Sequence, residues 1–392
     1  MSRNVLTPPS RLLLGPGPSN PDPAVSAAMA APLVGHLDPY FLRVMDETMA
    51  DLRAVFGTTN HHTIPMSGTG TAGLETIMFN LVEPGDEVIV GVIGYFGQRL
   101  VELAERAGAQ VRRIDAPYGE VIMPERIAHE LKRGRPKLVA LVHAETSTGA
   151  AQPLEDIGRM VREHDALFMV DCVTSLGGMP VETDAWLIDA AGSCSQKCLG
   201  APPGLGPVTV GPRAMAAVER RKTPAATWYF DLRLLFKYWG EQGGPRERAF
   251  HHTAPVANIY GFHEALRLIL EEGLAARFAR HQAAHERLVQ GLETLGLSLF
   301  TPAAHRLPML NVVRIPDGVD DLAVRRALLA RGIEIGGGFG PLKGKAWRVG
   351  LMGTNATPQV VDTLLGAMAE VLGPGTGQEK RGDQSPGRGD AR

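Results

Sequence analysis

The sequence predicts an α/β fold: a mixed, mostly parallel sheet flanked by helices, followed by a smaller α+β domain. Between residues 20 and 250, short apolar runs alternate with amphipathic stretches, the pattern of parallel strands joined by crossover helices. From Ile259 the pattern changes to two longer helices and then a shorter mixed segment. A chain of 392 residues has room for one large and one small domain.

In chain order, residues 1–19 read as an N-terminal arm. The predicted strands of the large domain are Thr63–Met66, Glu87–Val92, Leu138–His143, Leu167–Val170 and Val208–Gly211. The predicted helices are Thr71–Leu81, Gly97–Ala107, Pro124–Lys132, Leu154–His164 and Pro212–Arg220. Two helices are expected over Ile259–Glu293. Strand Leu310–Ile315, helix Asp320–Ala330, strands Ile333–Ile335 and Trp347–Leu351, and helix Pro358–Val371 follow. The division is therefore 20–258 and 259–372, with a cleft between. Residues 373–392 are rich in Gly, Pro and charge and cannot offset their ordering entropy by burial, so a disordered tail is expected.

Composition excludes several functions. A formal net charge of -2 gives no electrostatic reason to expect nucleic acid or an anionic membrane as partner. Met1–Ser10 carries one arginine before Pro8 and Pro9 and no apolar run, against a signal peptide. No run reaches the roughly 20 apolar residues of a membrane span, so a cytoplasmic protein is expected. Cys172, Cys194 and Cys198 lie close together and cannot all pair, which predicts a reducing compartment. Their spacing is not a zinc pattern, and no metal is expected. They read as small apolar fillers near a site.

Ligands in open α/β sheets bind beyond the carboxyl ends of the strands, and four polar clusters fall there. Ser67-Gly-Thr-Gly-Thr-Ala-Gly73 follows the first strand and opens a helix. Its backbone N–H groups could hold a phosphate, or it is a plain Gly-rich turn. It is neither a Walker loop nor a dinucleotide fingerprint. His143-Ala-Glu-Thr-Ser-Thr-Gly149, Asp171 and Ser193–Lys197 end three further runs. A lysine in a loop is ordinarily a solvated charge and an aspartate after a strand a turn former, so neither residue decides the matter alone.

Together and in order, Leu14-Gly-Pro-Gly-Pro-Ser19, Gly35-His-Leu-Asp38, Ser67-Gly-Thr-Gly70, Glu145-Thr-Ser-Thr-Gly149, Val170-Asp171, Ser195-Gln-Lys197, His251-His-Thr-Ala-Pro255 and Trp347-Arg-Val-Gly-Leu351 carry a resemblance. The chain resembles, over residues 10–372, the alanine–glyoxylate / serine–pyruvate aminotransferase group of the class V, fold type I, pyridoxal phosphate enzymes. The resemblance implies that Lys197 binds the cofactor aldehyde and then, as a neutral amine, carries a proton between the substrate α-carbon and the cofactor. A neutral lysine needs burial and neighbouring positive charge. It implies that Asp171 pairs with the pyridine nitrogen. It places Ser67, Gly68 and Thr69 at the phosphate, with Gln196 completing the cup. Thr146 lies near the ring's phenolic oxygen and Phe96 stacks on the ring, with Tyr95 a rival for that role.

The resemblance further implies a homodimer with shared active sites, in which Thr253 reaches the partner's phosphate. Here the chain departs from the pattern, because Phe250 stands where a tyrosine commonly supplies a phenol. Losing one hydrogen bond to a charged group costs about 1.5–3 kcal/mol, unless water or His252 replaces it. Arg348 matches the arginine that grips the substrate carboxylate with its planar fork. Gly15–Gly17, with Gly17 nearest the pocket, suits small substrates. The expected activity moves an amino group from alanine or serine to glyoxylate or pyruvate. Ureidoglycine–glyoxylate and vitamin B6-type amine–pyruvate aminotransferases of the same fold are the alternatives. A cysteine desulfurase would need a cysteine after Cys198, and a nucleotide oxidoreductase would leave Lys197, Asp171 and Arg348 without a joint role.

Overall fold

The computed structural model describes residues 6–240 and 248–373; the predicted tail, beyond Gly373, lies outside them. Seven strands form the central sheet: β1 (His62–Ser67), β2 (Glu87–Val92), β3 (Gln110–Asp115), β4 (Leu138–Val142), β5 (Leu167–Asp171), β6 (Ala190–Gly192) and β7 (Leu205–Val210). Their spatial order is β1-β7-β6-β5-β4-β2-β3. All neighbours run parallel except β7, which is antiparallel to both β1 and β6. The carboxyl ends of β1, β2, β4, β5 and β6 consequently lie along one edge.

Each strand follows from its sequence. The run Leu-Val-Ala-Leu-Val of β4 is buried along its whole length, as a strand covered on both faces requires. β3 escapes the alternation rule because it is an edge strand whose Gln110, Arg113 and Asp115 face water. β7 begins at Leu205, three residues before the predicted start, because Pro207 lies inside it and masks the strand pattern.

Helices cover both faces of the sheet. Asp38 caps Pro39–Phe56 by accepting from the Tyr40 N–H (2.7 Å), Pro39 takes the first turn, and Gly57 ends the helix in the left-handed region. Phe41, Met45, Leu52 and Phe56 on this helix are fully buried, each contributing about 1.5–3 kcal/mol by area. Val256–Glu272 and Leu274–Thr294 are the two long helices expected after the sheet.

A second hydrophobic core gathers around a three-stranded sheet of β8 (Leu310–Arg314), β9 (Gly336–Gly337) and β10 (Ala346–Gly350), with β10 in the middle. Trp347, Val349, Leu288 and Leu364 are its centre. The N-terminal arm belongs to this unit: Leu12 and Leu13 pair in parallel with Ile333 and Glu334, and the Gly350 N–H donates to the Leu14 carbonyl (2.8 Å). Beyond Leu14 the arm crosses to the first unit, where Ser19 donates through its N–H to the Gln196 carbonyl (2.9 Å) and through its hydroxyl to that of Lys197 (2.9 Å). Among the described residues, no helix is long and apolar enough to cross a membrane.

Candidate active site

The loops that leave the converging strand ends enclose a cavity of about 190 Å³. Lys197 follows β6, Asp171 ends β5, Thr146 follows β4, Phe96 follows β2 and Thr69 follows β1; all five line it, with Gln196. Parallel strands with their ends in register bring residues 128 positions apart into one wall, which is why the polar clusters meet.

Asp171 is 2% exposed. Its Oδ1 accepts from the Val173 N–H (2.9 Å), and Arg99 Nη2 stands 3.7 Å from its Oδ2. Burial pushes its pKa up, opposed by Arg99, the Val173 N–H and Lys197. Lys197 is half-buried, and loss of hydration holds its pKa below the usual lysine value. Arg348 adds to that shift, and the neighbouring Asp171 carboxylate opposes it. Burial drives the thiols the other way, Cys194 up to about 11 and Cys198 up to about 12, so they remain protonated fillers.

Gly17 touches the lysine directly. A Cβ at that position would sit 2.6 Å from Lys197 Cδ, Cε and Nζ, and its φ of +110° suits only glycine. Phe96 is held from behind: Glu145, fully buried, accepts from the N–H groups of Phe96 (3.0 Å) and Gly97 (3.2 Å). It thereby satisfies the open donors at the start of helix Tyr95–Arg106. Tyr95, the rival for the ring-stacking place, points away and is 44% exposed.

At the phosphate end the three residues expected there divide. Ser67 and Gly68 do not line the cavity: the Ser67 hydroxyl is bonded to His252 Nε2 (2.8 Å), and the Gly68 N–H donates to the Gly204 carbonyl (2.9 Å). Both are committed inside the chain because they still belong to the β1–β7 pairing. Thr69, Gly70 and Thr71 line it instead. Thr69 caps helix Gly70–Leu81 without a side-chain bond, so the positive end of that helix faces the cavity. Gln196 Oε1 is buried there with no partner among the described residues.

Thr253 is exposed and away from the cavity. Phe250 is 63% exposed against His36. His252 is bonded to Ser67 and to His251 (Nδ1···Nδ1, 2.8 Å), so it is not free to replace a missing phenol. Arg348 is 7% exposed in the centre of β10, opposite Val312 and Gly336. Burial pushes its pKa down to about 10, opposed by Glu145. Arg99 and Val173 were not singled out from sequence, and Glu145 was marked only as the start of a motif, without a role; Arg99, four residues into a helix, carried no signal separating it from a solvated arginine.

The cavity fits pyridoxal phosphate: a helix start with unsatisfied donors at one end, an orphaned buried amide oxygen, a buried carboxylate and an amine of lowered basicity. Comparison with known proteins points the same way. The model of the family "Aminotransferase class-V" matches residues 25–343. A solved alanine–glyoxylate aminotransferase from Nostoc sp. superposes with a TM-score of 0.92 at 54% identity, covering 95% of this chain and 98% of that one. The (S)-ureidoglycine–glyoxylate transaminase of Bacillus subtilis is 41% identical, over 94% of this chain and 92% of its own. Alanine–glyoxylate aminotransferase of Drosophila melanogaster is 39% identical, over 93% of each. The strand order, the strand-end cavity and these likenesses agree, and the chain belongs to the class-V aminotransferase family.

Proposed function

We propose that the protein is a pyridoxal-phosphate-dependent, homodimeric aminotransferase that moves the amino group of alanine or serine to glyoxylate or pyruvate. The observation that carries the reading is the meeting of Lys197 and Asp171 in one strand-end cavity with Phe96, Thr146 and Gln196. Residues 20–258 are then the cofactor-binding domain and 259–372 the smaller one, and the location is cytoplasmic. Relatives named for glyoxylate support the acceptor.

When bound, pyridoxal phosphate supplies an aldehyde carbon and an electron-withdrawing ring. Thr69, Gly70, Thr71 and Gln196 would hold its phosphate end, Asp171 its ring nitrogen, Phe96 and Thr146 its ring, and Lys197 would hold it covalently. Asp171, whose carboxylate form Arg99 and the Val173 N–H support against its burial, would pair with that ring nitrogen. Lys197 Nζ, once free, would take the proton from the substrate α-carbon and give it back in turn, acting first as base and then as acid. Arg348 fixes the substrate carboxylate with two terminal nitrogens and so aims the α-hydrogen. Gly17 leaves Lys197 Nζ room that any side chain there would fill.

The exposure of Thr253, and of Phe250 three residues before it, supports completion of the phosphate end by a second subunit. The 41% likeness to the Bacillus subtilis transaminase favours (S)-ureidoglycine as a second donor. A screen of alanine, serine and (S)-ureidoglycine against glyoxylate tests the reading. Product glycine with at least one donor supports it, and none with any donor rejects it.

A further inference from the structure

Arg348 is held by a ring that no family motif in the sequence marked. Phe339 lies in the turn between β9 and β10, and the Arg348 guanidinium carbon stands 4.5 Å over its centroid. The Tyr95 ring stacks on the same ring at 4.6 Å and 10°. The faces of Phe339 therefore meet both the guanidinium and the Tyr95 ring, and the three groups form one stack. Phe96 meets it edge-on at 6.4 Å. The Arg348 Nε–H donates to the Gly337 carbonyl (2.8 Å), which leaves the two terminal nitrogens without a hydrogen bond among the described residues.

The Tyr95 end of the stack is itself fixed. The Tyr95 N–H donates to the Ser147 hydroxyl (2.9 Å), and that hydroxyl donates to Glu145 (2.6 Å). Gly94 allows the approach: a Cβ there would lie 2.4 Å from the Ser147 oxygen. The motif Glu145-Thr-Ser147 therefore anchors, through Tyr95 and Phe339, an arginine that lies on the other sheet, about two hundred residues away. A guanidinium pinned at Nε and across its face has one orientation left, with its fork directed outward.

We propose that Phe339, backed by Tyr95, is the positioning residue for Arg348: it presets the fork that receives the substrate carboxylate. This rests on the proposed function, in which Arg348 is the carboxylate anchor. A flexible arginine would lose side-chain entropy at each binding event; a preset one has lost it already. The loss of the ring face is therefore expected in affinity for carboxylates and not in the proton transfer at Lys197.

The test uses the holoenzyme and propionate, which carries a carboxylate and no amino group, with Kd read from the cofactor absorbance, beside KM and kcat for alanine with glyoxylate. Phe339→Leu keeps bulk and removes the π face; it is expected to raise Kd and KM about three- to tenfold and to change kcat less than about twofold. Phe339→Tyr is expected to restore both. Tyr95→Leu, on the exposed side of the stack, is expected to shift both the same way by a smaller factor, and it guards against a Phe339 variant that fails to fold. Unchanged Kd in Phe339→Leu and Tyr95→Leu overturns the proposal, as does a fall in kcat or melting temperature without a change in Kd. Arg348→Lys separates this failure from that of the function: propionate weakened there but not in Phe339→Leu rejects only the positioning role, and propionate unaffected by Arg348→Lys rejects the anchor itself.

Discussion

The lysine end and the arginine end of the proposed site are built differently. At the lysine end, Lys197, Asp171, Thr146 and Thr69 each follow a strand of one sheet, so backbone register alone places them. At the arginine end, whose residues do not line the strand-end cavity, Arg348 comes from a second sheet, Phe339 from a turn and Tyr95 from a helix start. The first end is rigid by construction; the second depends on contacts between the two cores. The comparison teaches that chemistry is concentrated where the fold is over-determined, and substrate selection where it is assembled from parts.

Substitutions at the lysine end are therefore expected to strike turnover, and those at the arginine end affinity. Lys197→Ala removes the proton carrier and is expected to lower kcat by at least about 10²–10⁴-fold, measured with alanine and glyoxylate. Asp171→Asn keeps the shape and loses the charge. Breaking a buried ion pair of this kind costs about 3–5 kcal/mol, so turnover should fall by orders of magnitude while the cofactor is retained. Equal loss of cofactor and turnover would argue against its role. Arg348→Lys exchanges a fork for a point charge and is expected to raise KM about ten- to a hundredfold with little change in the cofactor spectrum.

This division also describes what the sequence made legible. Asp171 and Lys197 stand at the ends of apolar runs, and the parallel pattern says that such ends converge. Thr69 was legible as part of a Gly-rich turn, but the pairing that withdraws Ser67 and Gly68 depends on β7, whose start Pro207 hides. Helix Pro39–Phe56 carried signals at both ends, in Asp38, Pro39 and Gly57, that the alternation rule does not weigh. Arg99, Phe339 and the role of Glu145 were not legible, because their partners lie on other elements and no local spacing encodes a contact across a sheet.

Smaller effects sharpen the comparison at the phosphate end. Phe250→Tyr, titrated as apoprotein with pyridoxal phosphate, is expected to tighten binding about tenfold, since one hydrogen bond to a charged group is restored. Unchanged affinity would mean that residue 250 does not reach the phosphate. His252 is held at about 4, below its ordinary 6.5, chiefly by burial. Between those values the unfolded chain binds the extra proton and the folded chain does not, so stability falls as pH falls through that window. Melting temperature followed from pH 7 to pH 4 should drop, and less steeply in His252→Asn.

The central claim is that Lys197 carries the cofactor. Protein loaded with pyridoxal phosphate, reduced with borohydride, digested and read by mass spectrometry should bear the reduced cofactor mass on the peptide containing Lys197, and no modification in Lys197→Ala. The cofactor mass on another lysine, or on none, would contradict the account.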